Sequence, residues 1–231
     1  GAMVRGGESG SGLAAGVQHT LAPQVFVVLM VSNMLAQDGR CKTLDSTADG
    51  YVRAEACGAV ELKPVAEHGA EAMVLMGGSS VNQDGRSSSL TAPNGPSQQA
   101  VIHSSLERGF VKLEQYEQHE MHGTGTPLGD PIEVGAACAV LLRPKGSRGP
   151  LRLSAAKVAH GHAEAGAGVV GTMQALTSMT HGCVPLVTNL RSVNGYVAEG
   201  VGVSKLTVAP RECAGMVSAH CEESSAGGVS S

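Results

Sequence analysis

Tryptophan is absent from this 231-residue chain, and aromatic residues make up only 2% of it. A core arranged around large rings is therefore excluded, and Val, Leu, Ala and Met must fill the interior alongside 32 glycines, which suits tightly packed α/β layers. There is no basic excess: 16 Lys and Arg stand against 20 Asp and Glu, giving a net charge of -4 and a pI near 6.1. Neither nucleic acid nor an anionic membrane surface is expected as a partner. Long apolar runs are lacking too. The longest, Val25 to Val31, is far short of the roughly 20 residues that cross a bilayer, so no membrane span is expected. The six cysteines, Cys41, Cys57, Cys138, Cys183, Cys213 and Cys221, include no CxxC pair, and no signal peptide is recognisable. A reducing, cytoplasmic setting follows as the default. The length suffices for one large or two small domains with a real core.

What is there centres on Met121 to Gly135, MHGTGTPLGDPIEVG. Gly123 and Gly125 permit positive φ or a close backbone approach, so His122 opens a loop that can turn its imidazole into a narrow pocket. Asp130 reads as an N-cap, Pro131 as the first helical residue and Glu133 as the return arm of a capping box. The apolar residues Val134, Ala137, Cys138, Leu141 and Leu142 then recur at helical spacing on one face.

Around this stretch, residues 1 to 20 read as a helix end, a Gly/Ser turn and a short strand at Leu13 to Val17. Asp38-Gly39 and Asp49-Gly50 are turn dipeptides, and Tyr51 to Leu62 reads as a strand or hairpin. Asn82, Asp84, Ser87, Ser88, Ser89 and Thr91 can hold a long loop in shape by bonding to nearby backbone, before a helix that starts near Pro96 or Ser97. Val169, Met173, Leu176 and Met179 or Thr180 mark one face of a helix that stops at His181-Gly182.

Two site readings are set aside. His119, His122, His160 and His162 offer imidazoles, but without thiolates or carboxylates at zinc spacing. His119 and His122 on a strand would also face opposite sides, so no metal is expected. Gly166 to Gly171 fits GxGxxG formally, yet it lies in a helical pattern with no acidic residue about twenty positions on.

The loop at 121 to 135 closely resembles the HGTGT-x-LGDP-x-E segment of β-ketoacyl synthases, the ketosynthase domains of type I polyketide synthases and related fatty-acid-type enzymes. NMLAQDGRCKTLDSTADGYVRAEACGAVELK from Asn33, GGSSVNQDGRSSSLTAPNGPSQQAVI from Gly77, and LRLSAAKVAHGHAEAGAG from Leu151 are similar to further segments of that family. The last departs from it: Val158 and Ala159 replace a Ser-Asn pair, and His160 an aliphatic residue. Ala54 and Ala56 stand where glycine is usual.

The resemblance implies an α/β fold of the thiolase-like layered type (α-β-α-β-α), incomplete, with residues 1–67 ending an N-terminal half and 68–231 forming a C-terminal half. It implies a decarboxylative Claisen condensation between malonyl-carrier protein and an enzyme-bound acyl chain, without a cofactor. Acyl carrier protein and acyl and malonyl thioesters are the expected partners, within a homodimer or a multidomain synthase. His122 and His162 are the implied catalytic pair, supported by Lys157 and Glu164, expected to pair with each other, and by Thr124 and Thr126. His160 is not a family position. None of the six cysteines stands in the family's TACSSS-like elbow; Cys41 and Cys57 match structural positions. The nucleophile is therefore expected outside this chain, which alone should not condense acyl groups and should leave apolar faces uncovered. The alternative is a non-catalytic ketosynthase-like subunit or docking module.

Overall fold

A computed structural model of the chain describes residues 7–65, 72–85, 92–141, 150–203, 206–208 and 226–229. Its elements, in order, are β1 (Gly12–Gln18), α1 (Pro23–Val31), β2 (Ala56–Leu62), α2 (Gly95–Gly109), β3 (Tyr116–Glu120), α3 (Gly129–Leu141), β4 (Leu151–Ser154), α4 (Lys157–His160), α5 (Ala167–His181), α6 (Gly195–Val203), β5 (Leu206–Val208) and β6 (Ala226–Val229). The division expected near residue 67, the loop residues Ser87, Ser88, Ser89 and Thr91, the helical position Leu142, and Cys213 and Cys221 lie outside the described residues.

β3, β4, β5 and β6 form a parallel sheet in the order β5-β4-β3-β6. Parallel neighbours require crossover connections, and here α3 lies between β3 and β4 and α5 and α6 between β4 and β5, the alternation that builds α/β layers. The expected strand at Leu13 to Val17 is β1. It pairs antiparallel with β2, Gly16 facing Gly58 and Val17 facing Cys57. Tyr51 itself precedes the strand and makes only an isolated bridge with Leu35.

The core lies between the sheet and its helices. Leu151 and Leu153 of β4, Val134 and Leu141 of α3, and Met121 beyond β3 are at most 2% exposed and belong to one cluster. Burial at about 25 cal/mol per Å² of apolar surface makes this cluster the main favourable term. The helical spacing expected for α3 places Val134, Ala137 and Leu141 inside, with Cys138 packed at the edge.

The expected face of α5 needs correction. Its buried residues are Gly171, Ala175 and Ser178, whereas Val169 and Leu176 are half-buried and Met173 is exposed. The helix has two neighbours. Gln174 Nε2 donates to Glu120 on β3 at 3.0 Å, which sets the small residues toward the sheet. Val169 and Met173 lie over the β1–β2 pair, where a Cβ on Gly58 would sit 2.8 Å from Val169 Cγ1 and one on Gly16 2.8 Å from the Ala165 carbonyl. The paired glycines let the two strands approach the helix. α5 ends as expected at Gly182, in the left-handed region at φ 65°.

α2 begins at Gly95 behind Asn94, whose side chain accepts from Ser97 N. Asn82 Nδ2 donates to the Ser97 carbonyl at 2.7 Å, and the Asp84 carbonyl accepts from Asn94 Nδ2 at 2.8 Å. Polar side chains thus pin the described part of the preceding loop to the helix start.

Candidate active site

β3 delivers His122. Met121 N continues the sheet by donating to the Ser154 carbonyl at 2.8 Å, and the chain then turns into the loop. Gly123 and Gly125 take φ of +52° and +78°. A Cβ on Gly125 would stand 2.8 Å from Lys42 N, and one on Gly123 2.8 Å from Ala155 Cβ, so both conformation and space require glycine. Thr43 Oγ1 donates to the Gly123 carbonyl at 2.6 Å and Gly50 N to the Gly125 carbonyl at 3.0 Å, docking the loop on a segment some eighty residues earlier.

The capping box expected from Asp130, Pro131 and Glu133 does not form. α3 starts two residues earlier than Pro131, at Gly129, and Thr126 Oγ1 takes the capping role by accepting from Gly129 N at 3.1 Å. Both carboxylates turn back to the histidine loop. Glu133 accepts from His122 N at 2.5 Å and Gly123 N at 2.9 Å, while Asp130 accepts from Gly125 N at 3.1 Å and Leu44 N at 2.7 Å. The physical reason is that a buried loop cannot leave its N–H groups unpaired. Burial pushes the Asp130 carboxyl up to about 6 against these bonds, and the Glu133 charge adds to the rise.

His162 arrives from the turn after α4 and is stitched to residues 52–54. His162 N donates to the Val52 carbonyl at 2.7 Å and its own carbonyl accepts from Ala54 N at 3.0 Å. The rings of His122 and His162 meet edge to face, centroids 5.5 Å apart and planes at 89°, and Tyr51 flanks His162 at 4.9 Å. Each ring has a donor at Nδ1. Lys157 Nζ lies 3.4 Å from His122 Nδ1, and Glu164 N donates to His162 Nδ1 at 3.1 Å. A neutral imidazole that accepts at Nδ1 carries its proton on Nε2. Burial first, and the Lys157 charge second, lower His122 to about 4. Burial, Lys157 and His122 do the same for His162, so both rings are neutral at pH 7.

Lys157 is 6% exposed. Burial depresses its pKa, and the nearby charges of Glu133 and Glu120 oppose that. Glu120 is itself fully buried, accepting from Ser154 Oγ at 2.5 Å and from Ala156 N, and burial raises its pKa.

The expected Lys157–Glu164 pair is not formed. Glu164 instead takes Arg53, with Nε at 2.9 Å from Oε1 and Nη2 at 3.0 Å from Oε2, because the bridge between Arg53 and His162 brings that guanidinium alongside. Lys157 points at His122 and the buried carboxylates. Thr124 is half-buried in the loop; Ala159 and His160 are exposed. His119 is buried and meets the Tyr116 hydroxyl through Nδ1 at 3.0 Å. Cys41 is 0% exposed; its Sγ accepts from Val52 N at 3.4 Å and burial pushes its thiol up. Among the described residues no cluster of three or more His, Cys, Asp or Glu could hold a metal, and no helix is long and apolar enough to cross a membrane.

Sequence reasoning missed Arg53, Thr43 and Glu120, and misassigned Asp130 and Glu133. The one local signal for them was polar residues inside stretches otherwise destined for the core.

The parallel β-α layers that carry this pair of imidazoles are those of the thiolase-like fold, as comparison with solved ketosynthases shows. The model of the β-ketoacyl synthase C-terminal domain matches residues 73–191, and that of the N-terminal domain residues 2–68. The chain belongs to the β-ketoacyl synthase family. It is 38% identical over 212 residues to the mycoketide-CoA synthase of Mycobacterium tuberculosis, spanning 90% of this chain and 5% of that protein. It is 40% identical over 185 residues to erythronolide synthase EryA2 of Saccharopolyspora erythraea, spanning 79% of this chain and 5% of that one. The ketosynthase from module 6 of the bacillaene synthase of Bacillus subtilis superposes with a TM-score of 0.79 at 32% identity, over 84% of this chain and 36% of that chain. The chain thus spans under a tenth of these curated relatives and just over a third of that solved ketosynthase.

Proposed function

We propose that this chain carries the decarboxylation half of a ketosynthase active site, with His122 and His162 as its catalytic residues and Lys157, Glu164, Thr124 and Thr126 in support. The observation that carries the reading is the edge-to-face histidine pair, each ring accepting at Nδ1 and so protonated at Nε2. When a malonyl thioester loses CO2, the electron pair of the breaking C–C bond moves toward the thioester carbonyl and negative charge gathers on its oxygen. Two fixed neutral donors answer that charge without becoming acids themselves. The resulting enolate carbon attacks the acyl carbonyl of an enzyme-bound thioester. The new C–C bond forms as the C–S bond breaks, and the cysteine thiolate leaves with the electron pair. The products are CO2 and a β-ketoacyl thioester on the carrier.

The cysteine that holds the acyl chain is assigned outside this chain: none of its six cysteines stands in a TACSSS-like elbow, and Cys41 is moreover sealed from solvent with a raised thiol pKa. A thioester-forming cysteine must be accessible and readily ionised. Acyl carrier protein, acyl and malonyl thioesters, a homodimeric or multidomain setting and a cytoplasmic location belong to this reading, as does the division of the chain near residue 67; no cofactor is required. A second reading, a non-catalytic ketosynthase-like subunit or docking module, draws on the exposed apolar side chains of α1.

The experiment is to incubate the 231-residue chain with malonyl-carrier protein and follow acetyl-carrier protein by mass spectrometry. Slow release of CO2 that falls at least tenfold in both His122→Ala and His162→Ala is expected. Equal rates in wild type and variants would refute the assignment, and carrier-protein binding without any CO2 release would favour the second reading. With an acyl donor added, a stoichiometric thioester on any of the six cysteines, followed by β-ketoacyl product, would overturn the placement of the nucleophile.

A further inference from the structure

Glu164 stands two residues after His162 with φ of +39°, a left-handed backbone that is costly for a residue with a Cβ. The conformation has a consequence, since it is Glu164 N that donates to His162 Nδ1 at 3.1 Å. Tyr51 and His122 press on the His162 ring from two directions and set its plane. Neither contact decides which nitrogen faces the pocket, because a half-turn about the ring axis leaves the plane unchanged. The Glu164 N–H does decide it.

What holds Glu164 in this backbone is visible in its side chain. Both carboxylate oxygens are engaged by the Nε and Nη2 of Arg53. The Arg53 side chain is 4% exposed, and the Phe26 ring covers its guanidinium at 4.9 Å. The Arg53 backbone is itself bridged to His162, so the clamp and the ring it serves hang on the same strand-like segment. A bidentate Arg–carboxylate pair has fixed geometry, unlike the single lysine contact that the sequence suggested.

From this we infer that Arg53 is a positioning residue: its bidentate grip on Glu164 holds residue 164 in the left-handed region, and the Glu164 N–H so placed keeps the His162 proton on Nε2, aimed into the site. The significance of the aim rests on the reading of His162 as a donor to the thioester oxygen; the clamp itself does not.

The test reads the tautomer directly and needs no substrate. Two-dimensional ¹⁵N NMR of the imidazoles in the full chain at pH 7, with His162 assigned by its loss in His162→Gln, is expected to show a single neutral form protonated at Nε2. In Glu164→Ala, which keeps the Cβ and loses the clamp, that form gives way to a mixture of tautomers. In Glu164→Gly, which also loses the clamp but adopts positive φ freely, the single form is retained. Arg53→Met behaves like Glu164→Ala, and Arg53→Met/Glu164→Gly returns to the wild-type pattern. A general loss of folding cannot produce that rescue. A single Nε2 form in Glu164→Ala and Arg53→Met, or a mixture in Glu164→Gly, overturns the inference. If the tautomer pattern holds while His162→Ala leaves malonyl decarboxylation unchanged, the clamp stands and the proposed function falls.

Discussion

α1 and α3 are short helices rich in apolar residues, and they meet opposite fates. α3 buries Val134, Ala136, Ala137 and Leu141 together with two carboxylates. α1, PQVFVVLMV, buries none of its residues, and Val27, Val28, Met30 and Val31 are each more than half exposed. Hydrophobic content therefore does not separate them. In α3 apolar residues also lie nearly all round, but Val134, Ala137 and Leu141 meet the core cluster and the carboxylates at the first turn have a loop to serve. α1 is apolar nearly all round, so its sequence defines no single face, and within the described residues only Phe26 finds a specific task, over Arg53. A helix becomes part of a core when a surface receives it.

The sharpest way to break this comparison is to truncate on both sides of it. Leu153→Ala beneath α3 is expected to cost about 2–5 kcal/mol, as fully buried leucines do, while Val28→Ala on α1 should stay within about 0.5 kcal/mol. Denaturant midpoints measure both. Equal costs would mean that α1 is covered in solution. The exposed side chains also form a patch of the kind that drives association, and Val28→Lys/Val31→Lys is expected to raise the monomer fraction in sedimentation without changing the unfolding midpoint.

Next in size come the loop carboxylates. Glu133→Gln presents an NH2 group to one of the two N–H groups that the carboxylate now satisfies, leaving a buried donor without an acceptor. A loss of about 1–3 kcal/mol is expected, together with displaced His122 imidazole resonances. Unchanged resonances would show that Glu133 does not hold the loop. α1 offers no counterpart, since it contains no charged residue.

These carboxylates also show where reading the sequence succeeds and where it stops. Glycines 123 and 125, the loop's opening histidine, the start of α3 to within two residues and the buried face of that helix all follow from local pattern, because turn and helix chemistry act over a few positions. The partners of Asp130 and Glu133 do not. Capping rules look from one residue to the next three, whereas Asp130 reaches Leu44, 86 residues earlier, and Glu164 reaches Arg53 across 111. The face of α5 departs from expectation for a related reason: a helix between two neighbours has two inward faces, and the larger side chains mark the one over the β1–β2 pair, where glycines make room. Lys157 and Glu164 were both recognised as site residues, but charge alone could not say that each had a closer partner.

The acid response separates the regions again. His122 and His162 are held near 4 in the folded chain against about 6.5 when unfolded. The unfolded chain therefore binds protons first. The contribution of the neutral rings is full above pH 6.5 and is lost progressively as pH falls toward 4. Asp130 works in the other direction. Raised to about 6 from an ordinary value near 3.9, it binds its proton more readily in the folded state, so it offsets part of the loss over that window. Unfolding midpoints of wild type and His122→Gln/His162→Gln at pH 7 and pH 5 test this: the double variant should show the flatter response. A wild type whose midpoint is unchanged between these pH values would contradict the assignment of neutral, buried rings.

The smallest effect comes from one kind of bond placed at the start of each helix. Thr126 caps α3 through Gly129 N, and Thr126→Ala is expected to lower global stability by about 1 kcal/mol, since α3 carries the core. α1 starts behind Ala22, which has extended backbone angles and no side-chain cap, with Pro23 already at the first turn. Ala22→Ser supplies the absent acceptor at a position whose φ and ψ need no adjustment, and it should stabilise the helix locally by a similar amount. The two readouts should differ. A helix with no buried residue can open without the core opening, so its free energy of exchange is its own and not that of global unfolding. Ala22→Ser is therefore expected to slow amide hydrogen exchange within Pro23–Val31 about fivefold while leaving the denaturant midpoint in place, and Thr126→Ala is expected to move the midpoint. If Ala22→Ser raised the midpoint as much as Thr126→Ala lowers it, α1 would be coupled to the core as tightly as α3, and the contrast between the two helices would be one of exposure alone.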